Sequence, residues 1–264
     1  MRPVHSYVAL GDSFTEGVGD PDPNGAGYRG WADLFAERLA RQQPGFRYAN
    51  LAVRGKLLSQ VAAEQVPAAV AMGADLVSLA AGGNDLLRPA ADPELLARIF
   101  DDAVERLTAA GCQVLVFTGF DPGTFPLVRM IRGKAAAYNR RVAAIAAQRD
   151  CMLANLWSMR ILADPREWCD DRLHLAPDGH RRVALRACEA AGVPVEEDWR
   201  EPLPPGPDGP RAGAVASWPG GWVSSRRGDV RWARAHAAPW VSRRLRGVSS
   251  GDDRAPKRPE LRPF

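Results

Sequence analysis

Several features that would define a class of protein are scarce in this chain of 264 residues. It has four cysteines, none in a C-x-x-C arrangement, and four histidines, which predicts neither a disulfide framework nor a zinc site. No run of about 18 apolar residues occurs, so we expect no membrane-spanning helix. The first ten residues hold too short an apolar stretch for a signal peptide. We therefore expect a reduced, cytoplasmic protein without cofactor or metal, with a Cys169–Cys188 bridge as an open alternative.

Charge is distributed unevenly along the chain. Residues 1–198 carry 22 Lys/Arg against 25 Asp/Glu, a net of −3, whereas residues 199–264 carry 13 against 6, a net of +7. The pI near 9.1 therefore reflects the tail. The tail also holds 10 of the 22 prolines and 5 of the 8 tryptophans. This composition predicts a domain over residues 1–198 and a Pro/Arg/Trp-rich extension over residues 199–264.

The extension itself is expected to change character along its length. Residues 199–207 have the composition of a stiff linker, and residues 229–247 predict a short basic helix with Trp232, Trp240 and Leu245 as docking residues. Residues 249–264 have the composition of a disordered end. Two interpretations of the tail stay open, namely packing of its tryptophans on the acidic domain and binding to nucleic acid or an anionic membrane surface. We favour packing and expect no nucleic-acid partner.

Short apolar runs alternate with helical periodicity through residues 1–198. Strands are predicted at residues 7–10, 46–51, 76–80, 114–118 and 152–156, and helices at residues 31–39, 57–71, 92–110, 134–149 and 177–190. Apolar runs without alternation are typical of parallel strands that are buried on both faces. The sequence therefore predicts a three-layer α/β/α sandwich with a five-stranded parallel, flavodoxin-like sheet. In such sheets, ligands bind at the carboxyl ends of the strands.

Four polar blocks follow predicted strands and should meet at that edge. The first contains Ser13, the second Gly55, the third Asn84, and the last Asp171 and His174. Acyl transfer needs such a set: a hydroxyl nucleophile, an imidazole base, a carboxylate that orients the base, and N–H donors for an oxyanion. Each block alone is a common turn or cap, but their conjunction at one sheet edge favours a catalytic site.

The blocks, in this order, resemble those of the SGNH, or GDSL, hydrolase superfamily over residues 6–190. The resemblance implies that Ser13 is the nucleophile, His174 the general base and Asp171 the acid that orients it. It also implies that the Ser13 and Gly55 N–H groups and the Asn84 side chain form the oxyanion hole. It further implies a carboxylic ester hydrolase of the esterase or lipase type that needs no cofactor.

The sequence departs from the family pattern at two positions. Phe14 stands where the family's short name has Leu, and we expect this apolar side chain to pack behind the nucleophile. Arg54 stands immediately before Gly55, and the sequence indicates no role for it.

Several nearby residues and patterns have other interpretations. Asp170 adjoins Asp171, but the three-residue spacing to His174 favours Asp171. We expect His180 to be an exposed helix residue. The G-x-G-x-x-G pattern at residues 25–30 follows no strand, which argues against dinucleotide binding. A metal-dependent phosphoesterase that uses Asp12, Asp85, Asp171 and His174 would need more histidine ligands.

Substrate identity is the least determined property. We expect a small-molecule ester with a small or medium acyl group, while carbohydrate or natural-product deacetylation, thioester cleavage and acyl transfer stay open. Residues 17–31 and 119–132 are candidate pocket walls or ordinary packing. The sequence does not indicate an oligomeric state.

Overall fold

The computed structural model describes residues 2–25, 27–124, 129–204 and 251–264. Its central sheet has the strand order β5-β4-β3-β1-β2-β6. The strands are β1 (Ser6–Gly11), β2 (Arg47–Asn50), β3 (Leu76–Ala80), β4 (Gln113–Phe117), β5 (Met152–Ala154) and β6 (Arg258–Pro263). The first five are parallel to one another and follow the flavodoxin-like order. The predicted fold class is therefore confirmed.

The sheet has six strands, however, and the prediction of five is wrong. The sixth, β6, runs antiparallel along the free edge of β2, with Tyr48 opposite Arg262. Residues 258–263 are thus ordered in the sheet, contrary to the disorder that composition predicts for residues 249–264. Local composition does not indicate this pairing because the partner strand lies some 210 residues away. The pairing forms because the free edge of β2 presents unpaired N–H and C=O groups to any segment that reaches it.

Helices follow the strands as the periodicity predicts. They are α1 (Ser13–Glu16), α2 (Gly30–Ala40), α3 (Leu58–Gln60), α4 (Val66–Met72), α5 (Gly83–Leu86), α6 (Pro93–Ala109), α7 (Arg132–Gln148) and α8 (Pro177–Ala191). The helix predicted over residues 57–71 consists of α3 and α4 joined by a π-helical turn, Val61–Gln65. Short 3₁₀ turns lie between β4 and α7 and between β5 and α8.

Alternate residues of β1 divide the core into two layers. Tyr7 and Ala9 belong to a cluster that includes buried residues of α2 and α8. Val8 and Leu10 belong to a cluster that includes residues of α4, α6 and α7. All four are fully buried, because successive side chains of a strand point to opposite faces and both faces here are covered by helices.

The described part of the C-terminal extension begins against α8. Trp199 is 9% exposed, its Nε1 donates to Glu189 Oε2 at 2.7 Å, and Arg182 donates to the Trp199 carbonyl oxygen at 2.7 Å. The predicted helix at residues 229–247, with its docking residues, lies outside the described residues.

The four cysteines form no disulfide. Cys112, Cys151, Cys169 and Cys188 are all free thiols, so Cys169 and Cys188 are not bridged. Within the ranges given above, none of the helices has both the length and the apolar character that crossing a membrane requires.

Candidate active site

Ser13 is the first residue of α1, directly after β1 reaches the carboxyl edge of the sheet. Asp12 caps this short helix, and its Oδ1 accepts from the Phe14 N–H at 3.1 Å. Phe14 packs beside the rings of Trp31 and Phe117, at centroid distances of 5.5 and 6.0 Å, and it adjoins the core cluster of α2 and α8. The bulk of Phe14 is therefore accommodated by packing behind Ser13, as expected.

His174 and Asp171 lie in the loop that leads into α8. His174 Nδ1 and Asp171 Oδ2 are 2.5 Å apart, and Asp171 Oδ1 accepts from the N–H groups of Leu173 and His174 at 2.9 and 3.0 Å. Burial alone would raise the pKa of the Asp171 carboxyl, but these hydrogen bonds hold it below its ordinary value. An ionised Asp171 fixes the His174 tautomer that carries its proton on Nδ1, which leaves Nε2 as an acceptor.

Gly55 presents its backbone in a tight turn after β2. Its φ is +78°, a conformation that glycine adopts readily and other residues rarely do. Arg54 N–H donates to Glu16 Oε2 at 2.7 Å, and the Lys56 N–H donates to the Val53 carbonyl at 3.3 Å. Among the described residues, the N–H groups of Gly55 and of Ser13 have no acceptor, so both are available to a ligand.

Asn84 lies in α5, directly after β3. Its Nδ2 donates to Asp12 Oδ2 and to the Lys56 carbonyl oxygen, both at 3.1 Å. Because a carboxamide carries two N–H groups, donation to an oxyanion would share one of them or exchange it for the substrate. Asn84 also links the block after β1 to the block after β2, so it holds the candidate donor groups in one place.

Two further carboxyl groups lie beneath this edge. Asp12 is 7% and Asp85 9% exposed, and Asp85 Oδ2 accepts from the Leu58 N–H at 3.0 Å. Burial raises the pKa of Asp12 to about 6, although the Phe14 hydrogen bond and the proximity of His174 lower it.

The fold thus brings the predicted blocks to one edge of the sheet, and some of their residues are in direct contact. Asp171 contacts His174, and Asn84 contacts the neighbour of Ser13. In the described part of the chain, Ser13 Oγ forms no hydrogen bond with His174. In ligand-free structures, such catalytic contacts are often long and shorten when substrate binds.

His180 differs from the expectation of an exposed residue. It is 1% exposed, its Nδ1 accepts from the Trp31 N–H at 3.2 Å, and its Nε2 lies 3.2 Å from the Val18 carbonyl oxygen. Burial lowers its pKa to about 4. A neutral ring with the proton on Nε2 satisfies both contacts, so His180 joins the loop after α1 to the start of α2.

Two residues near the site carry no local sequence signal. The Gln65 side chain accepts from the Gly11 N–H at 2.8 Å and donates to the Gly11 carbonyl at 2.9 Å, which fixes the end of β1. Glu16 binds the backbone N–H and the guanidinium of Arg54. The partners are 54 and 38 residues apart, so no spacing rule marks them, and Arg54 acquires a role that the sequence does not indicate.

Two aromatic side chains of the candidate pocket walls, Trp31 and Phe120, belong to or pack against the core. Trp31 is fully buried, and the Phe120 ring lies 4.4 Å from that of Trp168. Met130 is 85% exposed. Phe125 and Leu127 lie outside the described residues. In the described ranges, no three His, Cys, Asp or Glu side chains are arranged to hold a metal ion, and the residues named for a phosphoesterase do not form such a group.

The fold and the edge residues define a three-layer α/β/α protein with a flavodoxin-like parallel sheet. The model of the GDSL-like lipase/acylhydrolase family matches residues 9–182. Because this match spans well over half of the 264 residues, the chain belongs to that family. The resemblance inferred from the blocks is confirmed. The comparison with curated proteins gave no match.

Solved structures share the fold at low sequence identity. LAE5, an α/β hydrolase enzyme from the metagenome of Lake Arreo, is 21% identical, with a TM-score of 0.61 over 72% of this chain and 95% of that one. TesA is 24% identical, with a TM-score of 0.58 over 70% and 97%. Axe2, an acetylxylan esterase from Geobacillus stearothermophilus, is 18% identical, with a TM-score of 0.60 over 76% and 99%. These likenesses show the fold, and membership of the family supports a hydrolase.

Proposed function

We propose that this protein is a serine hydrolase that cleaves carboxylic esters of small or medium acyl groups through an acyl-enzyme. The observation that carries the proposal is the 2.5 Å contact between His174 Nδ1 and Asp171 Oδ2, in a loop at the sheet edge where α1 presents Ser13. This contact leaves the His174 Nε2 lone pair free to act as a general base. Membership of an acylhydrolase family supports the same chemistry.

The reaction follows from the roles of these groups. His174 Nε2 takes the proton of Ser13 as Oγ attacks the acyl carbon, and Asp171 stabilises the imidazolium that forms. The oxyanion accepts from the Ser13 and Gly55 N–H groups, joined by an Asn84 N–H shared with the Lys56 carbonyl oxygen. His174 then protonates the departing alcohol. Water, activated by the same imidazole, releases the acid and regenerates Ser13.

A Ser13→Ala variant tests the proposal, with Ser158→Ala as its matched control, because Ser158 is an exposed serine whose hydrogen bonds, among the described residues, stay within its own turn. Both would be assayed with p-nitrophenyl esters of two to eight carbons and labelled with a fluorophosphonate probe. We expect Ser13→Ala to lose turnover and labelling while Ser158→Ala keeps both. Labelling of Ser13→Ala at wild-type intensity would refute the assignment.

The same assay can resolve the acyl group and the leaving group. Acetylated xylo-oligosaccharides belong in the panel because Axe2 is an acetylxylan esterase, and acyl-thioesters and alcohol acceptors test the remaining chemistries. A preference for acetyl on a sugar over acetyl on p-nitrophenol, measured as kcat/KM, would favour a carbohydrate deacetylase. A preference for octanoyl over acetyl would favour a lipase-like specificity.

A further inference from the structure

The C-terminal segment of residues 251–264, here called the C-terminal strap, reaches the candidate active site through Lys257. Lys257 Nζ donates to the carbonyl oxygens of Glu16, Tyr28 and Arg29 at 2.7, 3.0 and 2.5 Å, and it also binds Asp33 Oδ2. The side chains of Lys257 and Asp33 are 21% and 15% exposed. These acceptors come from the end of α1, from the loop before α2 and from α2 itself, so one ammonium group joins three segments.

The acceptor set resembles a cation site that this chain fills with its own side chain. Carbonyl oxygens at the end of a helix need donors when they are withdrawn from water, and a carboxylate beside them adds negative charge. Burial raises the pKa of Asp33, while Lys257 lowers it. Removal of the ammonium would take their shared donor from these oxygens and leave Asp33 with its hydrogen bond from Tyr48, which favours separation of α1 from α2.

Two of the residues held by Lys257 in turn hold Arg54. The Glu16 carboxylate accepts from the Arg54 N–H at 2.7 Å and pairs with its guanidinium. The Arg54 Cζ atom lies 4.9 Å from the centroid of the Tyr28 ring. The ammonium of Lys257 is therefore connected, through the backbones of Glu16 and Tyr28 and their side chains, to the residue that precedes Gly55.

The strap also touches that peptide directly. A Cβ atom on Gly251 would lie 1.9 Å from the Arg54 carbonyl oxygen and 3.0 Å from Val53 Cγ1. The Arg54 carbonyl and the Gly55 N–H belong to the same planar peptide. Gly251 thus packs against the carbonyl group of the peptide whose N–H is a candidate oxyanion donor.

We propose that the C-terminal strap sets the geometry of the catalytic centre, with Lys257 and Gly251 as positioning residues for α1 and for the Arg54–Gly55 peptide. This inference rests on the proposed hydrolase function. Neither residue touches the reacting atoms. The effect is expected on turnover because a displacement of about 1 Å at a catalytic group can lower the rate roughly 100-fold.

A purely structural strap makes a different prediction. If β6 only covers the edge of β2, its side chains affect stability and leave the turnover of the folded fraction unchanged. The test therefore compares kcat, corrected for the folded fraction, with the local order of α1 and the Arg54–Gly55 turn. Arg262→Ala is the matched control, because Arg262 lies on the same strand, is exposed, and its side chain pairs with Glu260.

The decisive variant is Lys257→Ala in the full chain, because the atoms removed beyond Cβ correspond to n-propylammonium. We expect kcat to fall about 10- to 100-fold with KM changed less than about threefold. Added n-propylammonium should restore much of this loss saturably, whereas n-propanol and tetramethylammonium should not. Gly251→Ala should lower kcat without being rescued, and Arg262→Ala should behave as wild type.

Hydrogen exchange separates failure of this inference from failure of the proposed function. Peptides covering residues 13–17 and 53–56 should exchange faster in Lys257→Ala and recover with n-propylammonium, whether or not an ester is cleaved. Absence of Ser13 labelling in the wild type would overturn both the hydrolase proposal and the catalytic effect of the strap. Faster exchange of the two peptides in Lys257→Ala would still show that the strap positions α1 and the Arg54–Gly55 turn. The strap proposal would be overturned if Lys257→Ala showed wild-type exchange in both peptides and wild-type kcat. It would also be overturned if the loss of kcat matched the unfolded fraction and n-propylammonium did not restore it.

Discussion

Mild acid should destabilise this protein through His180. The ring is buried, accepts from the Trp31 N–H through Nδ1 and donates to the Val18 carbonyl through Nε2, so protonation of Nδ1 would place one N–H against another. Its pKa falls from an ordinary value of 6.5 to about 4. The folded state therefore stays neutral at pH values where the unfolded chain takes up a proton.

The magnitude follows from the two pKa values. The contribution of His180 is complete above pH 6.5 and is lost as the pH falls from 6.5 to 4. At about 1.4 kcal/mol per pKa unit, roughly 2 kcal/mol is lost by pH 5 and about 3 kcal/mol below pH 4. Such a loss is a large part of the stability of an ordinary domain.

Urea denaturation at pH 8, 7, 6 and 5 measures this directly. His180→Gln removes the titrating group, so its free energy of unfolding should decline by about 2 kcal/mol less than that of the wild type between pH 8 and pH 5. The exposed His5 provides the control, because His5→Gln should keep the wild-type decline. Equal declines in all three proteins would refute the reasoning. An NMR titration of the wild-type His180 ring gives an independent result if His180→Gln does not fold, and a midpoint above pH 6 would contradict it.

Two substitutions examine the catalytic groups. Asn84→Ala should lower kcat about 100- to 1,000-fold because an Asn84 N–H stabilises the oxyanion. A loss below about fivefold would show that the backbone N–H groups of Ser13 and Gly55 suffice, and that Asn84 in the wild type only binds Asp12 and Lys56. Asp171→Asn should lower kcat by up to roughly 10⁴-fold because His174 loses its tautomer and orientation. Asp170→Asn should change kcat less than about threefold. If pH–rate profiles show the large loss of kcat in Asp170→Asn and the small one in Asp171→Asn, the orienting carboxylate is Asp170.

Much of the fold is predictable from local sequence. Each parallel strand coincides with its predicted range to within two residues at either end, and β3 coincides completely at residues 76–80. Such runs predict strands because both faces are buried, and the parallel order then brings their carboxyl ends to one edge. The polar blocks of Ser13, Gly55 and Asn84 are recognisable for the same reason, since each lies within a few residues of its strand, whereas Asp171 and His174 lie in the loop before α8.

The remaining features depend on partners that are distant in sequence. His180 has the local pattern of a helix-surface residue, and only the packing of α8 on α2 buries it. The prediction of disorder at the C-terminus is wrong because composition reflects only the apolar area that a segment supplies by itself. It does not take account of the free edge of β2, with which this segment pairs.

Local sequence patterns specify the class of fold, the positions of Ser13, Gly55 and Asn84 close behind their strands, the three-residue spacing of Asp171 and His174, and the uneven charge of the chain. These properties follow from periodicity and from short spacings, which act over a few residues. Long-range packing, by contrast, completes the sheet with β6, pairs Glu16 with Arg54, and joins α1 to α2 through Lys257. Those contacts span 38 to 241 residues, and long-range contacts are specified by the packing of the whole chain.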